Sequence, residues 1–333
     1  MIRHLARIWY GRSPLALLLL PPAACFYALV CIRRFIYLCG LMPSRHPGVP
    51  VIVVGNLSMG GTGKTPVVAW LCDFLRARGW RPGIVSRGYG GRARNWPQQV
   101  RPDSDPAMVG DEPVLLARRT GCPMAVGPDR IAAARALVER DLCDILISDD
   151  GLQHYALRRD LELVVIDGVR RHGNGFCFPA GPLREPLSRL KQVDLLLNNG
   201  GVKKGEYTVR MRGDQAVNLL DPEQVRPLKQ FAGERVHAVA AIGNPERFFT
   251  QLQGFGIRPT VHPFPDHHIF TSQDLAFSRE EVVLMTEKDA VKCAPFAQAH
   301  HWCVPVDLAV DADLEERMER HLEALKLAAD ERR

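Results

Sequence analysis

Short apolar runs alternate with amphipathic segments over most of the chain. The apolar runs are rich in β-branched residues and lie at positions 51–54, 124–126, 144–148, 161–166 and 193–197, and a further short strand is predicted at 81–86. Apolar residues recur with a helical period at positions 67–75, 114–119 and 130–140. Strands that alternate with helices predict a parallel β-sheet covered on both faces. Polar residues follow the carboxyl ends of several strands, where open α/β sheets bind ligands.

The pattern changes after about residue 200. Residues 203–212 partly alternate, which predicts an antiparallel ribbon between two lobes. A second α/β region follows, with strands predicted at 236–242 and 282–285 and helices at 246–253 and 314–329. We therefore divide the chain into an N-terminal helical segment (1–42), a core (43–200), a ribbon linker (201–230) and a smaller α/β domain with a C-terminal helix (231–333).

The N-terminal segment is uncharged and almost wholly apolar over residues 15–32. Its length is at the lower limit for a helix that spans a membrane. Pro21-Pro22 is expected to break it in the middle, and the charge on both sides gives no orientation. We favour a helical hairpin or interfacial anchor that enters one leaflet from the cytoplasm. A signal peptide and a helix packed on its own domain are the alternatives. The flanking arginines are Arg3, Arg7, Arg12, Arg33 and Arg34.

Composition narrows the class of protein. A chain of 333 residues with 46% hydrophobic residues is long and apolar enough for two folded domains. The net charge of +6 suits an anionic substrate or a membrane surface, and it is too diffuse to indicate nucleic-acid binding. The nine cysteines include no C-x-x-C pair, which argues against a disulfide framework or a zinc site and is typical of a reducing cytosol.

Residues 51–65 read VIVVGNLSMGGTGKT and predict a nucleotide-binding loop between a strand and a helix. Lys64 is expected to reach the β- and γ-phosphates of a nucleotide triphosphate, and the Thr65 hydroxyl to ligate Mg²⁺. Ser58 stands where the strict pattern has glycine. The alternative is a glycine-rich turn that binds nothing. The residues expected to surround the phosphates with backbone N–H groups are Ser58, Gly60, Gly61, Thr62 and Gly63.

Two acidic positions have the setting of catalytic groups. Asp149-Asp150 follows an apolar strand, as the Mg²⁺-binding acid of a P-loop protein does, although acid pairs at strand ends also cap helices. Asp111 precedes a predicted helix, so it is either an N-cap or a base near the γ-phosphate. Asp266-His267-His268 lacks a clear third ligand for a metal site, and one of its histidines is a candidate to pair with an acid across the cleft between the lobes.

Seven motifs stand in one order along the chain: GNLSMGGTGKTP, SRGYG, GDEP, DDGLQH, PAGPLRE, DHH and TEKDAVK. Together they resemble the tetraacyldisaccharide 4′-kinase family, the lipid A kinases of Gram-negative bacteria. The resemblance runs from the N-terminal segment to about residue 310. It implies a P-loop NTPase-type parallel sheet core with a smaller α/β domain joined by a β-ribbon and an N-terminal membrane-associated helical segment.

The resemblance also implies a reaction. The γ-phosphoryl group of ATP moves, with Mg²⁺, to the 4′-hydroxyl of an acylated glucosamine disaccharide 1-phosphate, which gives lipid IV-A on the cytoplasmic face of the inner membrane. It implies that Asp111 is the base and that His267 supports it, with His268 as the alternative. No nucleic acid and no obligate protein partner is implied. The expected substrate contacts are Arg87, Tyr89, Gln153, His154, Arg184 and Glu185.

Two other functions share part of the pattern. Membrane-associated switch ATPases of the deviant Walker type also carry the sequence GGxGKT, but they place a signature lysine just before the double glycine, where this chain has Met59. A non-catalytic nucleotide-binding membrane module leaves Asp111 and His267 without a role. The kinase is therefore the interpretation that uses most of the motifs.

Overall fold

The computed structural model describes residues 2–11, 13–276 and 280–330, so Arg12 lies outside the described ranges. The helices are α1 (Ile2–Tyr10), α2 (Leu15–Leu18), α3 (Leu20–Leu38), α4 (Lys64–Arg76), α5 (Pro106–Val109), α6 (Asp111–Thr120), α7 (Arg130–Val138), α8 (Pro245–Gly254), α9 (Glu287–Cys293) and α10 (Ala312–Asp330). Short 3₁₀ turns lie at Leu187–Gln192, Leu228–Phe231, Ser272–Leu275 and Ala294–Phe296.

The strands fall into two sheets. They are β1 (Val51–Gly55), β2 (Pro82–Ser86), β3 (Gln98–Val100), β4 (Met124–Val126), β5 (Ile145–Asp149), β6 (Leu161–Asp167), β7 (Leu195–Asn199), β8 (Tyr207–Arg212), β9 (Gln215–Asn218), β10 (Val225–Pro227), β11 (Val236–Ala240), β12 (Thr260–Pro263), β13 (Val282–Thr286), β14 (His301–Val304) and β15 (Asp307–Val310).

The larger sheet has nine strands within the described ranges, in the order β15-β8-β7-β6-β1-β5-β2-β4-β3. β1 lies at its centre and pairs in parallel with β5 and β6, with Val54 opposite both Asp149 and Leu163. Only the outermost pairs, β3 with β4 and β15 with β8, are antiparallel. The strands from β4 to β8 in this order are parallel, so their carboxyl ends meet at one edge of the sheet. Every residue of β1 and β5 is buried.

The smaller sheet has six strands among the same described residues, in the order β10-β9-β14-β13-β11-β12. β11, β12, β13 and β14 are parallel, and β9 joins β14 in the antiparallel sense. One face packs on Phe248, Phe249 and Leu252 of α8, and the other face packs on Ala290 and Cys293 of α9. The predicted α/β fold of the second lobe is therefore present.

A two-stranded ribbon joins the lobes. The chain leaves the larger sheet through β8 and enters the smaller one through β9, and it returns through β14 and β15, which pair antiparallel with β9 and β8. The alternation at 203–212 predicted the outgoing strand β8. The returning strands β14 and β15 were not predicted. Both strands are short, and neither carries a continuous apolar run.

The C-terminal helix α10 packs on the larger lobe. Its residues Leu314, Met318, Leu322 and Leu325 belong to the core cluster beneath the larger sheet. This contact differs from the predicted assignment of the helix to the smaller domain, because the returning strand β15 brings the chain back before α10 begins. The other domain boundaries stay predictions.

The N-terminal segment is interrupted at Leu19, between α2 and α3, and not by the two prolines in the middle of the apolar stretch. Pro21 and Pro22 lie in the first turn of α3, where a missing N–H leaves no bond unmade, and the helix continues through Arg33 and Arg34. α3 is the helix in the described part of the chain that is long and apolar enough to cross a membrane, with 19 residues and a mean hydropathy of 1.2. Only 6% of that stretch is buried, although Phe26 packs against the core of the larger lobe.

Candidate active site

The glycine-rich loop connects β1 to α4 at the centre of the larger sheet. Gly63 has a φ of +93° and directly precedes the first helical residue, Lys64. A Cβ atom at Gly63 would lie 1.6 Å from the Cε atom of Met211, which reaches the loop from the ribbon. Glycine suits this position because its φ is positive, and an added Cβ would also displace the Met211 side chain. The N-terminus of α4 therefore opens directly at the loop, as phosphate binding requires.

Two asparagines at strand ends hold the shape of the loop. The side-chain amide of Asn56 donates to the Ser58 carbonyl at 2.7 Å and to the Thr62 hydroxyl at 3.1 Å. Asn199, the last residue of β7, donates to the Thr62 carbonyl at 3.0 Å. Sequence reasoning missed both residues, although each stands at the carboxyl end of a buried strand, which is the signal that identified Asp149 and Asp150.

Lys64 and Asp150 form an ion pair beside the loop. The Lys64 Nζ atom lies 3.4 Å from Asp150 Oδ1 and donates to Asn56 Oδ1 at 3.3 Å. The Arg184 guanidinium lies 2.9 Å from the same carboxylate. Burial opposes ionisation of Asp150, but these two cations outweigh it and hold its pKa well below the ordinary value. Asp150 is thus ionised, and it orients the two cations beside the loop.

Asp149 has a different environment from its neighbour. Its side chain is buried at the end of β5 and accepts a hydrogen bond from the Ser86 hydroxyl at 3.3 Å. Burial, reinforced by the charge of Glu112, raises the pKa of Asp149 to about 7. Among the described residues, no hydrogen-bond donor contacts its Oδ1 atom. An orphaned buried carboxylate oxygen beside a P-loop fits Mg²⁺ held directly or through water, with the Thr65 hydroxyl as the second predicted ligand.

Asp111 begins α6, three residues before the predicted start of that helix. Gly110 occupies the N-cap position with a φ of +97°, so Asp111 is not the cap. Its Oδ2 atom lies 3.2 Å from Nδ1 of His267, which belongs to the smaller lobe. Across the two lobes, the structure therefore brings together the acid and the histidine that the resemblance implied as a pair.

Two lysines of the smaller lobe complete the surroundings of Asp111. The Nζ atoms of Lys288 and Lys292 lie 3.8 and 4.0 Å from its Oδ2 atom. Burial would raise the pKa of Asp111, but the hydrogen bond from His267 and the charges of the two lysines hold it at about 2. The same hydrogen bond raises the pKa of His267. Asp111 is consequently ionised at neutral pH.

Lys288 also ties the two lobes together. It lies 3.0 Å from Glu112 of α6 and 3.3 Å from Asp266 in its own lobe. Sequence reasoning gave Lys288 and Lys292 no role. Both lysines lie on α9, one helical turn apart, directly after β13. Two lysines with this spacing after a buried strand were the signal in the sequence that could have identified them.

His268 is held by packing within the smaller lobe. Its ring stacks on Phe264 at 4.7 Å and meets Phe270 edge-on at 4.9 Å, and its Nε2 atom lies 3.3 Å from Asp274. His267 is thus the histidine that reaches Asp111. The described residues contain no cluster of three or more His, Cys, Asp or Glu side chains suited to a metal ion.

The predicted substrate residues occupy different parts of the cleft. The Tyr89 ring is exposed and lies 5.1 Å from the ring of His267. Gln153 donates to the Asn56 carbonyl and to Glu185, each at 3.2 Å, which places it beside the loop. Glu185 is only 1% exposed and also accepts a hydrogen bond from the Tyr155 hydroxyl. Glu185 therefore positions the side chain of Gln153.

The other predicted substrate residues include one that borders the P-loop and two that lie farther out. Arg184 contacts Asp150 and Gln153 and so lies next to the P-loop. Arg87 follows β2 and His154 follows β5, and both are electrostatically coupled to Arg130 at the start of α7. The predicted contacts therefore comprise an inner group beside the P-loop and two residues, Arg87 and His154, that follow β2 and β5.

A model of the tetraacyldisaccharide-1-P 4′-kinase family matches residues 15–323 of this chain. The chain belongs to this family. A tetraacyldisaccharide 4′-kinase of Nitrosococcus oceani is 56% identical over 92% of this chain and 90% of its own length. One from Methylobacillus flagellatus is 50% identical over 95% of both chains. The resemblance stated from the motifs is thereby confirmed.

A solved structure supports the fold of this kinase. The crystal structure of LpxK from Aquifex aeolicus in complex with ATP has a TM-score of 0.76 and 26% identity, and the match covers 92% of this chain and 99% of that one. The likeness extends over both lobes and not only the nucleotide-binding core. The predicted fold class is therefore confirmed.

Proposed function

We propose that this kinase transfers the γ-phosphoryl group of ATP to the 4′-hydroxyl of a tetraacylated glucosamine disaccharide 1-phosphate, which forms lipid IV-A in lipid A biosynthesis. The observation that carries the proposal is the contact of 3.2 Å between Asp111 and His267, which joins the two lobes. A nucleotide switch needs no buried acid at this place, whereas a kinase needs a group that accepts the hydroxyl proton.

The side chains divide the work of phosphoryl transfer. The transition state is loose, with charge spread over the transferred group, so catalysis consists mainly of positioning and electrostatic stabilisation. Lys64 places a positive charge at the β- and γ-phosphates, and Asp111 accepts the proton of the attacking hydroxyl while His267 fixes the orientation of its carboxylate. Mg²⁺, held by Thr65 and Asp149, would neutralise charge on the phosphates. A base of low pKa is adequate here. In a loose transition state, little proton transfer from the attacking hydroxyl is needed before the new P–O bond forms.

The acceptor is a lipid, and α3 provides a surface for it. Leu29, Ile32, Phe35 and Leu38 are each more than half exposed on this helix. Apolar side chains in such number on one exposed helix suit the acyl region of a bilayer, with Arg33 and Arg34 near the headgroups. We propose that α3 associates with the cytoplasmic face of the inner membrane, where ATP is available, and that no nucleic acid or obligate protein partner takes part.

The proposal is tested by coupling ATP use to the acceptor. ADP release is measured with and without acylated disaccharide 1-phosphate in detergent micelles. We expect release to depend on the acceptor, and we expect Asp111→Asn to abolish that dependence while ATP still binds. Equal release with and without the acceptor would favour the switch ATPase and refute the kinase proposal.

A further inference from the structure

Four successive backbone carbonyls of the P-loop, those of residues 59–62, accept hydrogen bonds from side chains of other segments or of the strand end. Asn56 and Asn199 donate to the second and fourth of these carbonyls, at 3.4 and 3.0 Å. The Tyr10 hydroxyl donates to the first at 3.4 Å, and the Arg170 guanidinium donates to the third at 3.2 Å. Tyr10 and Arg170 therefore contact the loop from outside its own motif.

The direction of each carbonyl fixes the direction of the next N–H group. In a planar trans peptide, the C=O bond and the N–H bond of the following residue point in opposite directions. The contact of Tyr10 with the Met59 carbonyl thus orients the N–H of Gly60, and the contact of Arg170 with the Gly61 carbonyl orients the N–H of Thr62. Within the described ranges, the N–H groups of residues 60–63 donate to no protein acceptor. Such N–H groups are the ones with which a P-loop binds phosphate.

Arg170 is fixed to the larger sheet at its other end. Its Nε atom lies 3.2 Å from Oδ2 of Asp167, and its backbone N–H donates to Oδ1 of the same carboxylate at 2.8 Å. Asp167 is the last residue of β6 and is buried. Because its charge is already paired with Asp167, Arg170 is suited to holding the Gly61 carbonyl and not to binding a phosphate itself. The side chain therefore links the position of β6 to the loop that follows β1.

Tyr10 is held in place by the end of α1. The indole Nε1 of the buried Trp9 donates to the Pro179 carbonyl at 2.9 Å, and the Trp9 carbonyl accepts from the N–H of Asn174 at 2.8 Å. The Tyr10 ring lies 5.4 Å from the guanidinium carbon of Arg170, within the range of a cation–π contact. Burial raises the pKa of Tyr10, so its hydroxyl keeps the proton that it donates.

We propose that Arg170 and Tyr10 are positioning residues of the ATP site, which set the N–H groups of the P-loop for the phosphates. This inference rests on the proposed function and adds to it two residues from the turn after β6 and from α1. In the sheet, β6 and β5 lie on opposite sides of β1. Asp149 and Asp150 lie at the end of β5, so a change at Arg170 acts on the phosphate loop and leaves these acids in place.

The test separates nucleotide binding from acceptor binding. The Kd for ATP with Mg²⁺ is measured by titration calorimetry without acceptor, and the KM for ATP and for the acylated disaccharide 1-phosphate is measured at steady state. We expect Arg170→Gln to weaken ATP binding by about tenfold, because a charge-assisted hydrogen bond is lost. Tyr10→Phe keeps the ring and removes a neutral donor, so it should weaken ATP binding by about threefold. The KM for the acceptor should stay unchanged in both variants.

Arg81→Gln is the matched control. Arg81 also pairs with aspartates, Asp141 at 2.8 Å and Asp144 at 3.3 Å, but it lies at the amino end of β2, away from the P-loop. It should keep the wild-type affinity for ATP. Wild-type affinity in both Arg170→Gln and Tyr10→Phe would overturn the proposal, as would an equal loss in Arg81→Gln or an equal rise in the KM for the acceptor. A wild-type protein that binds no ATP would instead refute the proposed function.

Discussion

The pair formed by Asp111 and His267 gives the sharpest prediction. Its atoms lie 3.2 Å apart, and the side chains are 8% and 31% exposed, so the hydrogen bond is only partly screened by solvent. Hydrogen bonds to charged groups contribute about 1.5–3 kcal/mol. Loss of His267 should therefore lower kcat by roughly 10- to 150-fold, at about 1.4 kcal/mol for each factor of ten. Loss of the proton acceptor in Asp111→Ala should lower it by about 10²- to 10⁴-fold.

The two losses should not add. If His267 acts by orienting the Asp111 carboxylate, the double variant should be little slower than Asp111→Ala. The assay measures kcat and the KM for ATP for both single variants and the double variant, and the KM for ATP should change little in each. His300→Ala, in the same lobe but outside this contact, serves as the control. Losses that simply add in the double variant would show that the residues act independently, and the paired model would be wrong.

Three further predictions concern the nucleotide, the metal and the membrane. Lys64→Ala should lower kcat by roughly 10²- to 10³-fold in a protein with unchanged circular dichroism, because the charge opposite the transferred phosphoryl is lost; wild-type turnover would contradict the assignment. Since burial raises the pKa of Asp149 to about 7, and Mg²⁺ binds the ionised carboxylate, Mg²⁺ affinity should strengthen as the pH rises through 7. Asp149→Asn should abolish that trend in Mg²⁺ titrations, and a flat profile in the wild type would refute it. Leu29→Glu with Phe35→Glu should weaken co-sedimentation with anionic vesicles while turnover on a detergent-dispersed acceptor persists; unchanged co-sedimentation would exclude α3 as the anchor.

The core of the larger sheet was predictable from local patterns. β1, β2 and β4–β7 lie within two residues of the predicted strands, because each is a short apolar run buried on both faces. The same strand ends carry Asp149 and the P-loop, so the position of the site followed from the rule that parallel strands present their carboxyl ends at one edge. The predicted helix starts were less accurate than the predicted strands. Lys64 and Asp111 begin α4 and α6, but they are polar and therefore do not belong to the apolar periodicity that predicted these helices.

Features that depend on distant parts of the chain were not predictable from patterns alone. The ribbon strand β15 and the path of α10 depend on pairing between residues about 100 positions apart, for which a local pattern carries no signal. The pairing of Asp111 with His267 came from the family resemblance and not from spacing. The burial of Arg130 depends on how α7 packs against the sheet, and an arginine at a helix start predicts a solvated residue.

The central claim is that the cleft between the lobes transfers phosphate from ATP to the 4′-hydroxyl of a lipid disaccharide. The most direct measurement incubates the protein with [γ-³²P]ATP, Mg²⁺ and acylated disaccharide 1-phosphate, followed by separation of the lipids and assignment of the new phosphate monoester by NMR. The account predicts a labelled lipid with its new phosphate at the 4′ position, formed by the wild type and not by Asp111→Ala. Label recovered only as inorganic phosphate, or on another hydroxyl, would contradict it.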